Sequence, residues 1–237
     1  MVYLLSLQEA FHFHRVNHPN YYKINGRPVL FVYLTRVLSR NGVLENTVNI
    51  MRTAANEAGF DIYIAGDQVF GQPPSSTDQI ALLDAITNYD VYGSSGGKMY
   101  ATQEKVNSYY AAQSGWKSKA QQAGVGFVPA ASPGFNDRGV RDGHTPLSRK
   151  LTEDAEFGSL LKAMLDQALE LTDIEAGNLL LITSWNEWHE DTQIEPVVIA
   201  APTNKDNSSS GQDYTVGLDY EGYGLRYLDI IKEALGK

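Results

Sequence analysis

Cysteine is absent from this chain of 237 residues. Its absence excludes a disulfide framework, a thiolate metal site and a cysteine nucleophile, and it leaves the compartment open. Positive charge is scarce: 19 Lys and Arg stand against 28 Asp and Glu, a formal net charge of −9. With no basic stripe to neutralise phosphates, no nucleic-acid partner is expected, while neutral substrates remain compatible. No apolar run is long enough to span a membrane. There is no GxGxxG, no P-loop and no HExxH, so neither a cofactor nor a metal is expected. His12, His14 and His18 cluster in sequence, but no fourth ligand stands at a suitable spacing. The opening Met1-Val2-Tyr3-Leu4-Leu5-Ser6-Leu7 lacks the basic residues of a secretory signal, and Glu9 soon follows. It reads as the end of a helix, and the chain is expected to begin inside a larger protein.

What is present suits one globular domain with a sizeable core, since 43% of the residues are hydrophobic. Strands and helices alternate. Val29 to Tyr33 reads as a strand after the turn Asn25-Gly26-Arg27-Pro28. Apolar residues at helical spacing mark Glu45 to Gly59. Asp61 to Ala65 is the next strand, Thr77 to Ile86 a short helix, and Tyr89 to Tyr92 a short strand. A long helix over Met99 to Ala123, a strand over Val125 to Ala131 and a helix around Phe157 to Leu169 follow. Leu179 to Ser184 reads as the last strand, and Leu225 to Leu235 as the final helix. Asn204 to Gly211 is a polar loop.

This alternation predicts a parallel α/β sheet. Polar and aromatic residues follow nearly every strand, which favours a (β/α)8 barrel of the TIM type over a doubly wound sheet. Only about five strands are legible where a barrel needs eight, so an incomplete barrel lacking its first strands is expected. Such a barrel would carry an open flank with exposed apolar side chains.

The densest chemistry lies in Leu179 to Pro196. The apolar run Leu179-Leu180-Leu181-Ile182 halts at Trp185-Asn186-Glu187-Trp188-His189-Glu190. In α/β barrels the C-terminal ends of the strands carry the catalytic residues. Two carboxylates beside aromatic platforms are the working parts of glycoside hydrolases. One of the two Trp residues is expected in the core and the other against a sugar face. Glu187 could instead be a solvated loop carboxylate or the partner of Arg141 or Arg149.

Four segments, in the right order, resemble glycoside hydrolase family 99 and family 99-like domains, the endo-α-mannosidase group. They are His18 to Val29, Thr87 to Tyr92, Pro133-Gly134-Phe135-Asn136-Asp137 through Arg141, and Trp185-Asn186-Glu187-Trp188-His189-Glu190. Residues 1–237 then read as the C-terminal part of one (β/α)8 catalytic domain. One departure is Asp191, where the family usually has Gly.

The resemblance implies a retaining glycoside hydrolase acting on α-mannoside-type glycans. Glu187 would draw the proton from the sugar 2-hydroxyl, and the reaction would pass through a 1,2-anhydro sugar. Glu190 would protonate the leaving oxygen and later activate water, a role that needs a raised pKa. Arg141 matches a family arginine that would hold a carboxylate or a sugar hydroxyl. Tyr33, Tyr92, Asp137, Trp185, Asn186, Trp188 and His189 are the further candidates for contact with a carbohydrate substrate. The alternative is a non-hydrolytic family 99-like module that binds glycans or serves polysaccharide assembly. A glycosidase clan with Asn-Glu on its fourth strand does not fit, because too few residues follow Glu187 to build four more βα units.

Overall fold

The computed structural model describes residues 16, 18–95 and 99–236. The expected N-terminal helix end, with His12 and His14, lies outside them. The chain divides into two compact units: residues 1–88, 115–128 and 173–179, and residues 89–114, 129–172 and 180–237.

The first unit is built on a sheet of order β1-β2-β3-β4-β5. Strand β1 (Lys23–Ile24) turns back into β2 (Arg27–Val32) through Asn25-Gly26, whose positive φ values of 51° and 79° are those of a type I′ hairpin turn. Strands β2, β3 (Tyr63–Asp67), β4 (Ala85–Thr87) and β5 (Gly126–Val128) are mutually parallel, with Val29 opposite Tyr63, Ala65 opposite Ala85 and Ala85 opposite Gly126. Every residue of β3, β4 and β5 is buried, as expected for a parallel sheet covered on both faces. Helix α1 (Thr35–Arg40) and helix α2 (Leu44–Glu57) follow β2, and α2 buries Leu44, Val48 and Ala55. Among the described residues, no strand pairs with the outer edge of β2 beyond Pro28, and Phe31 on that strand is exposed.

The second unit contains helix α3 (Val91–Ser95), most of helix α4 (Thr102–Ala123), β6 (Ala130–Ala131), helix α5 (Ser159–Glu170), β7 (Leu181–Ile182), β8 (Ala200–Thr203), β9 (Tyr220–Gly222) and helix α6 (Arg226–Ala234). Strands β6 and β7 pair in parallel, Ala130 with Leu181 and Ala131 with Ile182. Strands β8 and β9 form an antiparallel pair. The core is set by the apolar face of α5, where Leu160, Leu161, Met164, Leu165 and Ala168 pack with Tyr109, Tyr110, Phe135 and Tyr227.

Several sequence expectations are corrected. Residues 77–86 do not form a helix. Ser75, Ser76 and Asp78 open a turn, and Ala85-Ile86-Thr87 is drawn into the sheet between β3 and β5, where pairing outweighs local propensity. Tyr89 to Tyr92 is not a strand. Val91 starts α3, and the Asp90 carboxylate accepts the Gly93 amide at 2.7 Å, a local turn bond that competes with an extended chain. The strand expected over Val125 to Ala131 breaks at Pro129, which has no N–H for a ladder. Strand β7 is only Leu181–Ile182 and is not the last strand, since β8 and β9 follow.

Candidate active site

The parallel pairing of β6 and β7 sets the loops that follow their C-terminal ends side by side. The loop after β7 is tied to itself. Ser184 N donates to Thr192 O at 2.8 Å and Ile194 N to Ser184 O at 3.1 Å, and the Ser184 and Thr192 hydroxyls are 2.8 Å apart. The Thr183–Ser184 peptide is cis. Ser184 Oγ also accepts the Glu187 amide at 2.8 Å. Inside this frame Trp188–Glu190 forms one 3-10 turn, capped by Glu187, whose Oε1 accepts the His189 amide at 3.2 Å. His189 Nδ1 stands 3.5 Å from the same oxygen. Glu187 and Glu190 therefore begin and end a single turn.

The loop after β6 meets this turn. Asn136 N donates to Glu190 O at 2.7 Å. The Asp137 side chain is 0% exposed, and Arg141 Nη1 contacts both Asp137 Oδ2 (2.8 Å) and Glu190 Oε1 (3.1 Å). The Asp137 carboxylate, and then that of Glu190, raise the Arg141 pKa above its usual value. His144 Nδ1 lies 3.0 Å and 2.9 Å from the two Asp137 oxygens. Arg141 thus holds Glu190 and not Glu187.

Arg149 belongs to the same turn from beneath. It is 5% exposed and donates through Nη2 to Asp191 Oδ1 (3.0 Å), Asp191 O (2.9 Å) and Gln193 O (3.0 Å), and through Nε to Asp191 Oδ2 (3.3 Å). Its guanidinium lies over the rings of Tyr223 and Tyr227, 5.2 Å and 4.8 Å from their centroids. Burial opposes that charge, but the Asp191 carboxylate holds the Arg149 pKa above its usual value. Asp191 itself has a φ of 48°. Left-handed backbone is where glycine is least strained and where Asp is among the tolerated alternatives. Asp191 therefore keeps the turn and adds an anchor for Arg149. Gly134 lies close to that anchor, and a Cβ there would stand 2.8 Å from Arg149 Cγ.

The other candidates divide. Trp185 and Trp188 are 53% and 50% exposed, so neither is the expected core tryptophan; the buried one is Trp116 in the first unit. Charged and amide neighbours and the tight turn keep the pair at the surface. Trp188 Nε1 donates to Glu195 Oε1 at 2.7 Å. Asn186 is exposed, with its carbonyl accepting the Trp188 amide. A cavity of about 340 Å³ lies beside the turn, bordered by Trp188, His189, Asp191, Asn136, Tyr214 and Tyr220 among others. The Tyr92 ring stacks on Phe135 at 4.0 Å, and its hydroxyl donates to Thr145 O. Tyr33 follows β2 in the first unit and is exposed. His144 and Arg149 join the site through contacts that no sequence motif marks.

Comparison with known proteins settles the family. The family model for glycosyl hydrolase family 99 matches residues 10–220. The chain belongs to this family. It is 25% identical over 228 residues to the glycoprotein endo-alpha-1,2-mannosidase of Rattus norvegicus, covering 92% of this chain and 42% of that one. It is 38% identical over 72 residues to a glycoprotein endo-alpha-1,2-mannosidase-like protein of Danio rerio, which covers 30% and 14% of the two chains. The fold is that of a glycoside hydrolase-like protein (TM-score 0.57, 19% identity, 92% of this chain and 56% of that one). It is also that of the family 99 endo-alpha-mannosidase of Bacteroides thetaiotaomicron, solved with bis-tris propane (TM-score 0.55, 22% identity, 93% and 61%). This likeness makes the fold class that of the TIM-type barrel. The chain spans less than half the length of the rat relative.

Proposed function

We propose that this chain carries the catalytic carboxylates of a retaining glycoside hydrolase acting on α-mannoside-type glycans. The observation that carries the reading is Glu187 and Glu190 at the two ends of one 3-10 turn after a parallel strand, beside the cavity that Trp188 and His189 border. Membership of family 99 and the names of the relatives support the substrate class.

Glu187, partly exposed and held by its own turn, takes the proton of the sugar 2-hydroxyl as that oxygen closes on C1. The C1–O bond to the leaving group breaks, and Glu190 delivers its proton to the departing oxygen. Water then opens the anhydro ring at C1 while Glu190 accepts its proton, and Glu187 returns a proton to the 2-oxygen. Two inversions at C1 give net retention. Trp188, His189 and Asn136 border the cavity beside the turn and are proposed as sugar contacts. Asp137, buried beneath Arg141, is proposed to orient it.

The test is turnover of an α-mannoside and of its 2-deoxy analogue by wild type, Glu187→Gln and Glu190→Gln. Each variant keeps shape but loses a titrating group, and turnover should fall about a hundredfold or more with binding largely kept. The first-formed product should keep its anomeric configuration, and the 2-deoxy compound should not react. Normal turnover of the 2-deoxy compound removes the anhydro route, and normal turnover by both variants removes the hydrolase reading.

A further inference from the structure

We propose that His144 is a positioning residue for Glu190, acting through Asp137 and Arg141; the claim rests on the reading of Glu190 as the proton donor. Two carboxylates draw on one guanidinium. Arg141 Nη1 is shared between Asp137 Oδ2 at 2.8 Å and Glu190 Oε1 at 3.1 Å. The Asp137 carboxylate is 0% exposed, so it must find its donors within the protein. Arg141 is one, and His144 Nδ1, within 3.0 Å of both oxygens, is the other. With the imidazole N–H in place, the buried carboxylate is satisfied without drawing Arg141 fully to itself. Without it, Arg141 is the remaining side-chain donor, and the buried carboxylate draws a second N–H of that guanidinium to itself, turning Nη1 away from Glu190. Glu190 then loses the group that fixes its carboxylate.

His144 is itself held for this task. Arg138 Nη1 donates to His144 O at 2.9 Å, and the Tyr92 hydroxyl donates to Thr145 O. The ring is half exposed, and its Nδ1 faces the buried acid.

The test compares His144→Leu with His144→Asn, which keeps an N–H near the place of Nδ1. His144→Leu should lower kcat about tenfold with KM within about twofold of wild type, and His144→Asn should return kcat to within about threefold. In a Glu190→Gln background, His144→Leu should cause no further loss, because its effect runs through Glu190. Equal losses in the Leu and Asn variants, or a full additional loss in the Glu190→Gln background, would overturn the proposal. A crystal structure of His144→Leu gives an answer independent of turnover. Arg141 Nη1 should lie beyond about 4 Å from Glu190 Oε1, and an unchanged contact overturns the proposal. If wild type shows no hydrolysis but the contact is lost in the variant, the hydrolase reading falls and the positioning of Glu190 stands. Should the Leu variant not fold, His144→Ala is judged by the same criteria.

Discussion

Asp191, at a φ of 48°, grips the buried guanidinium of Arg149 through both carboxylate oxygens, at 3.0 Å and 3.3 Å. A buried cation stripped of its partner is strongly destabilising, more so than replacing the whole pair by apolar groups. Asp191→Ala should cost about 3–5 kcal/mol, part from the orphaned charge and part from alanine in left-handed backbone. For a chain of this size that is a melting point lower by roughly 10 °C. Asp191→Asn, which tolerates the backbone and still offers an oxygen, should lose less than half as much. Thermal unfolding followed by circular dichroism decides. Equal melting of wild type and Asp191→Ala would show that Arg149 does not depend on this carboxylate.

Trp188 sits half exposed at the cavity and is pinned by its bond to Glu195. If its ring is a platform for sugar, Trp188→Ala should raise KM about tenfold and leave kcat within about threefold, since binding common to ground and transition state is removed. Trp188→Phe, which keeps a ring but not the bond, should fall between. A change confined to kcat would instead make the indole a prop for the carboxylates.

Tyr92 offers a sharper division between support and contact. Its ring stacks on Phe135 and its hydroxyl is spent on Thr145 O. Tyr92→Phe should lower stability by about 1 kcal/mol, the net worth of one such bond, with KM unchanged. A several-fold rise in KM at unchanged stability would make the hydroxyl a substrate contact.

The loop between β8 and β9 is organised by Asp206. Some withdrawal from water pushes its pKa up, but bonds from the Ser208 hydroxyl and amide and from the Thr215 and Tyr214 amides outweigh it and bring the pKa to about 2. A carboxylate lowered from 3.8 in the folded chain contributes order that is fully present above about pH 4 and is lost as pH falls toward 2. Amide exchange at Tyr214 and Thr215 should therefore accelerate between those values in wild type. In Asp206→Asn it should be fast throughout, with no such pH dependence. Equal protection in the two proteins would refute this.

The parts of the fold that were legible are those where hydrophobic period and punctuation agree. The faces of α2 and α5 show the helical spacing, and Gly59, at a φ of 85°, follows the end of α2. The turn from Trp185 to Glu190 stood out because charge halts an apolar run. Other elements were opaque for physical reasons. Ala85-Ile86-Thr87 has weak local preference and becomes a strand only between two partners distant in sequence. Val198 and Ile199 are apolar yet exposed beside β8. The Arg149–Asp191 pair spans 42 residues and His144 meets Asp137 through loop folding, and neither relation leaves a periodic trace.

The knot of bonds that returns Ser184 to Thr192 and Ile194 has a mechanical consequence. Both glutamates ride on one short closed segment, so strain arriving from elsewhere tilts them as a rigid pair and leaves their mutual geometry intact. Damage at a distance should then resemble a misaimed tool, with both proton transfers impaired in step. Lesions inside the clasp, at Ser184 or Thr192, set the two backbone positions out of register with each other, whereas loss of the Arg141 contact frees the Glu190 carboxylate alone.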